Sequence, residues 1–63
     1  MIEFIPANMV RIGTQLFIEY APSREDTFEV LAVNNRGQEI DFRVRRLGWM
    51  RGYRHNENVA VER

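Results

Sequence analysis

The sequence predicts an all-β domain that folds as a small barrel of five short strands, with no substantial helix. Apolar residues recur mainly with period two, and turn residues interrupt the chain at short intervals. The 63 residues leave room for a single domain, which we place at 1–63. Because an open sheet of this size leaves two edges unprotected, the pattern favours a closed or nearly closed barrel.

The first two strands are predicted on either side of a proline. Ile2 to Ile5 form the first strand, and Pro6 ends it because proline cannot donate a ladder hydrogen bond. A long second strand is predicted from Met9 to Tyr20, with a bulge or bend at Gly13. Gly13 and the β-branched residues around it argue against a helix over the same stretch.

The middle of the chain carries the clearest hairpin signal. A polar turn over 21–26 leads into a strand from Thr27 to Val33, and Asn34-Asn35-Arg36-Gly37 places glycine where a short hairpin loop needs positive φ. The next strand alternates strictly. Its inward row is predicted to be Ile40, Phe42 and Val44, and its outward row Glu39, Asp41, Arg43 and Arg45.

The last third of the chain is less regular. The alternation slips at Arg45-Arg46-Leu47, which predicts a bulge or the end of the strand. Gly48 and Gly52 bracket Trp49-Met50-Arg51, which we interpret as a tight excursion. Val59 to Val61 form a final short strand, predicted to be an edge that a second copy of the chain can pair with, so that a homo-oligomer is possible.

This order of elements, from Gly13 through Leu47, resembles the SH3-like small barrels of the Tudor, KOW, Sm and WYL types. The resemblance lies in a strand, a polar turn, a strand, a tight hairpin and a basic strand. It implies a five-stranded SH3-like barrel. It implies nothing about function, because one superfold hosts many functions.

Residues that support catalysis are scarce. Ser23 is the only serine and His55 the only histidine, and the chain has no cysteine, so we expect no enzyme and no catalytic residues. His55-Asn56-Glu57 matches the His-x-Glu half of the zinc deaminase signature, but the Pro-Cys-x-x-Cys half is absent. We therefore expect no metal site and no cofactor, and interpret His55 as a solvated turn residue.

The apolar segments are too short for a membrane span. The longest uninterrupted apolar run, 30–33, is far below the roughly 20 residues that a spanning helix needs. The first residues lack a basic region of the kind that begins a signal peptide. We therefore expect a cytoplasmic protein with no membrane partner.

The formal net charge of zero conceals an uneven distribution. All nine basic residues are arginine. Residues 1–30 carry two arginines against five acidic residues, for a charge of −3, and residues 31–63 carry seven against four, for +3. Residues 42–54 contain five of the arginines and no acidic residue, with Trp49 and Tyr53 among them.

This mixture favours a non-enzymatic protein that binds nucleic acid, preferably single-stranded or RNA, because cationic groups neutralise phosphates and planar groups stack on unpaired bases. Trp49 and Tyr53 are the predicted stacking residues, and the predicted phosphate contacts are Arg43, Arg45, Arg46, Arg51 and Arg54. The alternative is a protein-interaction module, such as a phage-type inhibitor or accessory subunit, that binds an acidic partner through the same residues. A purely structural interpretation also stays open, in which the arginines pair with acids such as Glu19 or Glu29 and Trp49 covers the core.

Overall fold

Six strands form one antiparallel sheet in the computed structural model, which describes residues 1–18 and 27–63. The predicted all-β class is therefore confirmed. The strands are β1 (Ile2–Pro6), β2 (Gln15–Phe17), β3 (Thr27–Asn35), β4 (Glu39–Val44), β5 (Gly48–Arg54) and β6 (Asn58–Glu62). Their order in the sheet is β1-β6-β2-β3-β4-β5.

The predicted closed barrel of five strands is not confirmed. β1 and β5 are the two ends of the sheet, and in the described part of the chain they do not pair with each other. The segment after β1 nevertheless packs against the turn between β5 and β6. There the Ala7 N–H donates to the Glu57 carbonyl at 2.8 Å, and the Asn8 N–H donates to the His55 carbonyl at 3.1 Å.

The prediction of one long second strand from Met9 to Tyr20 is wrong. A single 3-10 turn, Ala7–Met9, comes first, and β2 contains only Gln15–Phe17. Between them, a local turn joins Arg11 and Thr14, since the Arg11 N–H donates to the Thr14 hydroxyl at 3.1 Å and the Thr14 N–H donates to the Arg11 carbonyl at 3.0 Å. The Gly13 N–H and the Thr14 carbonyl bond to Val30 of β3. Gly13, with φ of +95°, then turns the chain toward β3, as the predicted bend at this glycine requires.

The hairpin between β3 and β4 confirms the turn signal in the sequence. Gly37 has φ of +94°, and its N–H donates to the Asn35 side-chain oxygen at 2.9 Å. β3 pairs with β2 at its start and with β4 along its end, and it carries a bulge between Val30 and Ala32.

One apolar cluster forms the core, on the inner face of the sheet. The predicted inward row of β4 is confirmed, since Ile40, Phe42 and Val44 are all almost completely buried. The other strands that contribute are β1, β2, β3, β5 and β6, through Ile5, Leu16, Phe28, Val30, Met50, Val59 and Val61. The core residues of β4 thus fix which of its side chains face away from the core.

Three further predictions need correction. Asp41, placed in the outward row of β4, is fully buried, because arginine side chains cover it. Trp49-Met50-Arg51 is not a tight excursion but the middle of β5, since Gly48 and Gly52 both adopt positive φ within that strand while it stays paired with β4. Val59 to Val61 are not an edge, because β6 lies between β1 and β2.

The slip at Arg45-Arg46-Leu47 is the end of β4, as predicted, and Arg46 adopts φ of +76° in the turn. The polar turn predicted over 21–26, and Glu19 and Tyr20 of the second predicted strand, lie outside the described residues. Within 1–18 and 27–63, no helix has the length and apolar character needed to cross a membrane.

Candidate functional site

The register between β4 and β5 places an arginine directly opposite the only tryptophan of the chain. Arg43 pairs with Trp49 across the two strands. Arg43 lies between the inward residues Phe42 and Val44, so its side chain projects to the outer face of the sheet. Directly opposed residues have Cβ atoms about 4.5–5.5 Å apart, close enough for their side chains to act on one ligand.

Trp49 is also approached by the next outward arginine of its own strand. The guanidinium carbon of Arg51 lies 5.8 Å from the centroid of the indole ring, within the range of a cation–π contact. Trp49 is 42% exposed and the Arg51 side chain is 65% exposed. We call Arg43, Trp49 and Arg51 the arginine–tryptophan face.

Arg45 does not share in this face, because Glu29 neutralises it. The Arg45 guanidinium donates to Glu29 Oε1 through Nη2 at 3.1 Å and through Nε at 3.3 Å. The Arg45 N–H also donates to the Glu29 carbonyl at 3.0 Å, which extends the β3–β4 pairing by one step. Arg45 therefore follows the structural interpretation of the sequence, a pairing across strands, as Arg51 does with Asp41.

Two more arginines of the segment are exposed at the ends of β5. Arg46 lies in the turn before the strand, and Arg54 is its last residue, paired in register with Glu39. The backbone N–H of Arg54 donates to the Glu57 carboxylate at 3.2 Å. Neither guanidinium, nor that of Arg43, forms an ion pair with another residue in the described ranges.

Tyr53 lies on the opposite face of β5 from Trp49. It pairs with the inward residue Ile40, and its ring centroid is 5.1 Å from that of Phe42, with the ring planes tilted by 50°. Tyr53 is half-buried against the core. The structure therefore does not bring the two predicted stacking residues together on one surface.

Sequence reasoning missed the role of Asp41, the one fully buried charged residue among the described residues. Arg36 binds its carboxylate with two donors, Nε at 2.8 Å from Oδ2 and Nη2 at 3.0 Å from Oδ1. Arg51 Nη1 lies 3.5 Å from Oδ2, and the Gly52 N–H donates to Oδ1 at 3.1 Å. The only signal in the sequence was an acid placed in an outward row shared with arginines.

The electrostatic balance around Asp41 favours the ionised carboxylate. Burial by itself raises the pKa of Asp41. The hydrogen bonds from Arg36 and the Gly52 N–H, together with the charges of Arg36 and Arg51, outweigh burial and hold this pKa below its ordinary value. Hydrogen bonding and charge from Asp41 raise the pKa of Arg36 in return. Asp41 is thus a fixed negative charge whose field is compensated within the protein.

The residues considered for metal or catalytic chemistry do not form a site in the described part of the chain. No group of three His, Asp or Glu side chains is placed to hold a metal ion there. His55 Nε2 lies 3.2 Å from the Asn35 side-chain oxygen, and the Glu57 carboxylate accepts from the backbone. Ser23, considered as a partner for His55, lies outside the described residues.

Comparison with protein-family models, with curated protein sequences and with solved structures finds no match for this chain.

Proposed function

We propose that this protein binds single-stranded nucleic acid, with RNA included, through the arginine–tryptophan face. The observation that carries the proposal is the position of Trp49, half-exposed, opposite Arg43 and beneath Arg51, on a surface where the neighbouring carboxylate of Asp41 is already bound by arginines. Arg46 and Arg54 extend the positive charge toward the two ends of β5. The proposal has no catalytic step.

Each part of the face matches one part of a single strand. The exposed guanidinium groups neutralise phosphates and release counterions. The indole ring, together with the Arg51 guanidinium plane, stacks on a base that is not paired, and stacking of this kind tolerates any sequence because every base has a π-face. A duplex keeps its bases inside the helix, so the face is suited to a single strand rather than to double-stranded DNA.

The expected salt dependence follows from the arginines of 42–54 that form no ion pair with another described residue. If Arg43, Arg46 and Arg54 each contact one phosphate, the slope of log K against log salt is about −2, from roughly 0.7 per phosphate on a single strand. A fourfold rise in salt, from 50 to 200 mM, then weakens binding about 18-fold. This value is modest, as expected for a small face on a chain of zero net charge.

The test is a fluorescence-anisotropy titration with labelled 12-mers of single-stranded DNA, single-stranded RNA and duplex DNA at both salt concentrations. We expect both single strands to bind more tightly than the duplex and to quench the fluorescence of Trp49. No binding of any oligonucleotide at 50 mM salt would overturn the function. Duplex binding as tight as single-strand binding, without a change in Trp49 fluorescence, would overturn the stacking component.

A second candidate function is the binding of an acidic protein. Leu47, 38% exposed, lies two residues before Trp49, and apolar and aromatic residues beside arginine are typical of protein interfaces. Polyglutamate with the same number of charges as the 12-mer separates the two functions. Equal affinity for polyglutamate and for single-stranded DNA would favour the protein partner, because polyglutamate has no bases to stack.

We also propose that the six-stranded sheet is a form of the SH3-like barrel. β3 carries a bulge, and next to the end of β5 the N–H of Asn8, just after β1, donates to the His55 carbonyl, which supports an SH3-like barrel left open between β1 and β5. Those two strands are the edges through which copies of the chain would associate, and light scattering tests that association. Cytoplasmic localisation stays a prediction.

A further inference from the structure

We propose that Asp41 is a positioning residue of the arginine–tryptophan face, whose buried carboxylate holds Arg51 over Trp49 before any ligand arrives. The proposal rests on the proposed function for its consequence, the binding of a base. The part of the proposal in which Asp41 positions Arg51 concerns the free protein alone.

The carboxylate of Asp41 is fully used. A carboxylate offers about four acceptor positions on its two oxygens. Here Oδ1 accepts from Arg36 and from the Gly52 N–H, and Oδ2 is contacted by Arg36 and Arg51. A buried charge needs such complete compensation, so the surrounding donors are constrained to point toward it. Arg51 is the one donor of this set that also approaches Trp49.

The local geometry of β5 also directs Arg51 toward Asp41. Ile40 pairs with Tyr53 and Phe42 pairs with Met50, so the single residue Asp41 is opposed by two residues, Arg51 and Gly52. This is a β-bulge, and bulges often redirect side chains next to functional sites. Both residues of the bulge turn a donor toward Asp41, and Gly52 does so with φ of +87°. The bulge and the Asp41 carboxylate therefore together fix the position of the Arg51 side chain.

An arginine that is already held in place lowers the entropic cost of binding. Arginine has a long, flexible side chain, and ordering it upon binding weakens affinity. A guanidinium that the protein already holds beside the indole loses less freedom when a base stacks. Releasing Arg51 from Asp41 should then weaken binding by about 2- to 13-fold, the range for ordering one such side chain.

The experiment compares Asp41→Asn with Glu39→Gln, a matched control. Both substitutions remove one negative charge from β4, and both remove a carboxylate that binds Arg36, since Glu39 Oε1 lies 2.9 Å from Arg36 Nη2. Only Asp41 contacts Arg51. If charge alone mattered, both variants would bind the polyanion more tightly. Positioning predicts that Asp41→Asn binds a single-stranded 12-mer more weakly than the wild type, whereas Glu39→Gln binds at least as tightly.

A second readout needs no nucleic acid. Trp49 is the only tryptophan, so acrylamide quenching of intrinsic fluorescence reports its accessibility in the free protein. We expect Asp41→Asn to increase quenching because Arg51 leaves the ring, and Glu39→Gln to leave quenching unchanged. Equal quenching in all three proteins, with the variants folded by circular dichroism, would overturn the proposal.

Arg51→Lys keeps the proposal testable if Asp41→Asn fails to fold. Arg51 is largely exposed, and lysine preserves its charge while losing the planar fork. We expect greater quenching of Trp49 and weaker binding in this variant, and wild-type values of both would refute the positioning of Arg51. A wild-type protein that binds no oligonucleotide would refute the proposed function, while the quenching measurements would still decide the role of Asp41.

Discussion

Replacing Arg43 by alanine should remove one phosphate contact and leave the fold intact. Arg43 is exposed, forms no ion pair with another described residue and lies opposite Trp49. Exposed substitutions of this kind change stability by no more than about 0.5 kcal/mol. The effect should therefore appear in the affinity for single strands and in its dependence on salt.

The magnitude follows from the number of phosphates contacted. Loss of one contact reduces the magnitude of the negative slope of log K against log salt by roughly 0.7, from about 2.1 to about 1.4. The weakening between 50 and 200 mM salt then falls from about 18-fold to about 7-fold. A pair of titrations with a labelled single-stranded 12-mer resolves this difference, and thermal melts of both proteins verify the fold.

Arg45→Ala is the matched control, since it removes the same side chain two residues further along the chain. Arg45 is held by Glu29 at 3.1 Å, so this pair already sums to zero charge and contacts no phosphate. We expect the salt slope to stay near its wild-type value, with slightly lower affinity because Glu29 is left unpaired. If Arg45→Ala reduces the salt dependence of binding as much as Arg43→Ala does, this assignment is refuted. Arg45 would then contact phosphate, as the sequence predicts.

Three further predictions concern the ring, the core and the buried carboxylate. Trp49→Ala should weaken single-strand binding about 5- to 150-fold, from roughly 1–3 kcal/mol per stacked base; an affinity equal to the wild type in anisotropy titrations would remove stacking from the proposal. Phe42→Ala should destabilise the fold by about 3–5 kcal/mol, at least about a third of the roughly 3–9 kcal/mol expected for a domain this small. Phe4→Ala, at a position 68% exposed, should change stability by no more than about 0.5 kcal/mol, and urea denaturation of both variants checks the contrast. The pKa of Asp41 is lowered by folding, so its contribution to stability is complete above the ordinary value of 3.8 and is lost as the pH falls through the lower, folded value. Melting temperatures measured from pH 7 to pH 2.5 should therefore fall less steeply at the acidic end in Asp41→Asn than in the wild type, and identical acid profiles would contradict this assignment.

Local patterns in the sequence correctly predicted those features that depend on a single strand or a single turn. The alternation of Ile40, Phe42 and Val44 predicted the inward face of β4, and Asn35 with Gly37 predicted its hairpin, because side-chain direction and positive φ are local properties. The stretch from Met9 to Tyr20 failed for the opposite reason. Its period-two apolar pattern favours a strand, but a 3-10 turn at Ala7–Met9 and a turn between Arg11 and Thr14 interrupt the chain before β2 begins.

The composition of the sequence predicted the candidate site, and the pairing of strands and charges decided which of its residues share one surface. The sequence by itself determined that arginines and aromatic residues without an acid are concentrated in residues 42–54. Only the tertiary structure decided that Trp49 faces Arg43, that Tyr53 turns to the core and that Glu29 neutralises Arg45. These outcomes depend on the register of β4 with its neighbours and on the bulge at Asp41. Register and bulge are set by contacts between strands, and a pattern within one strand does not contain them.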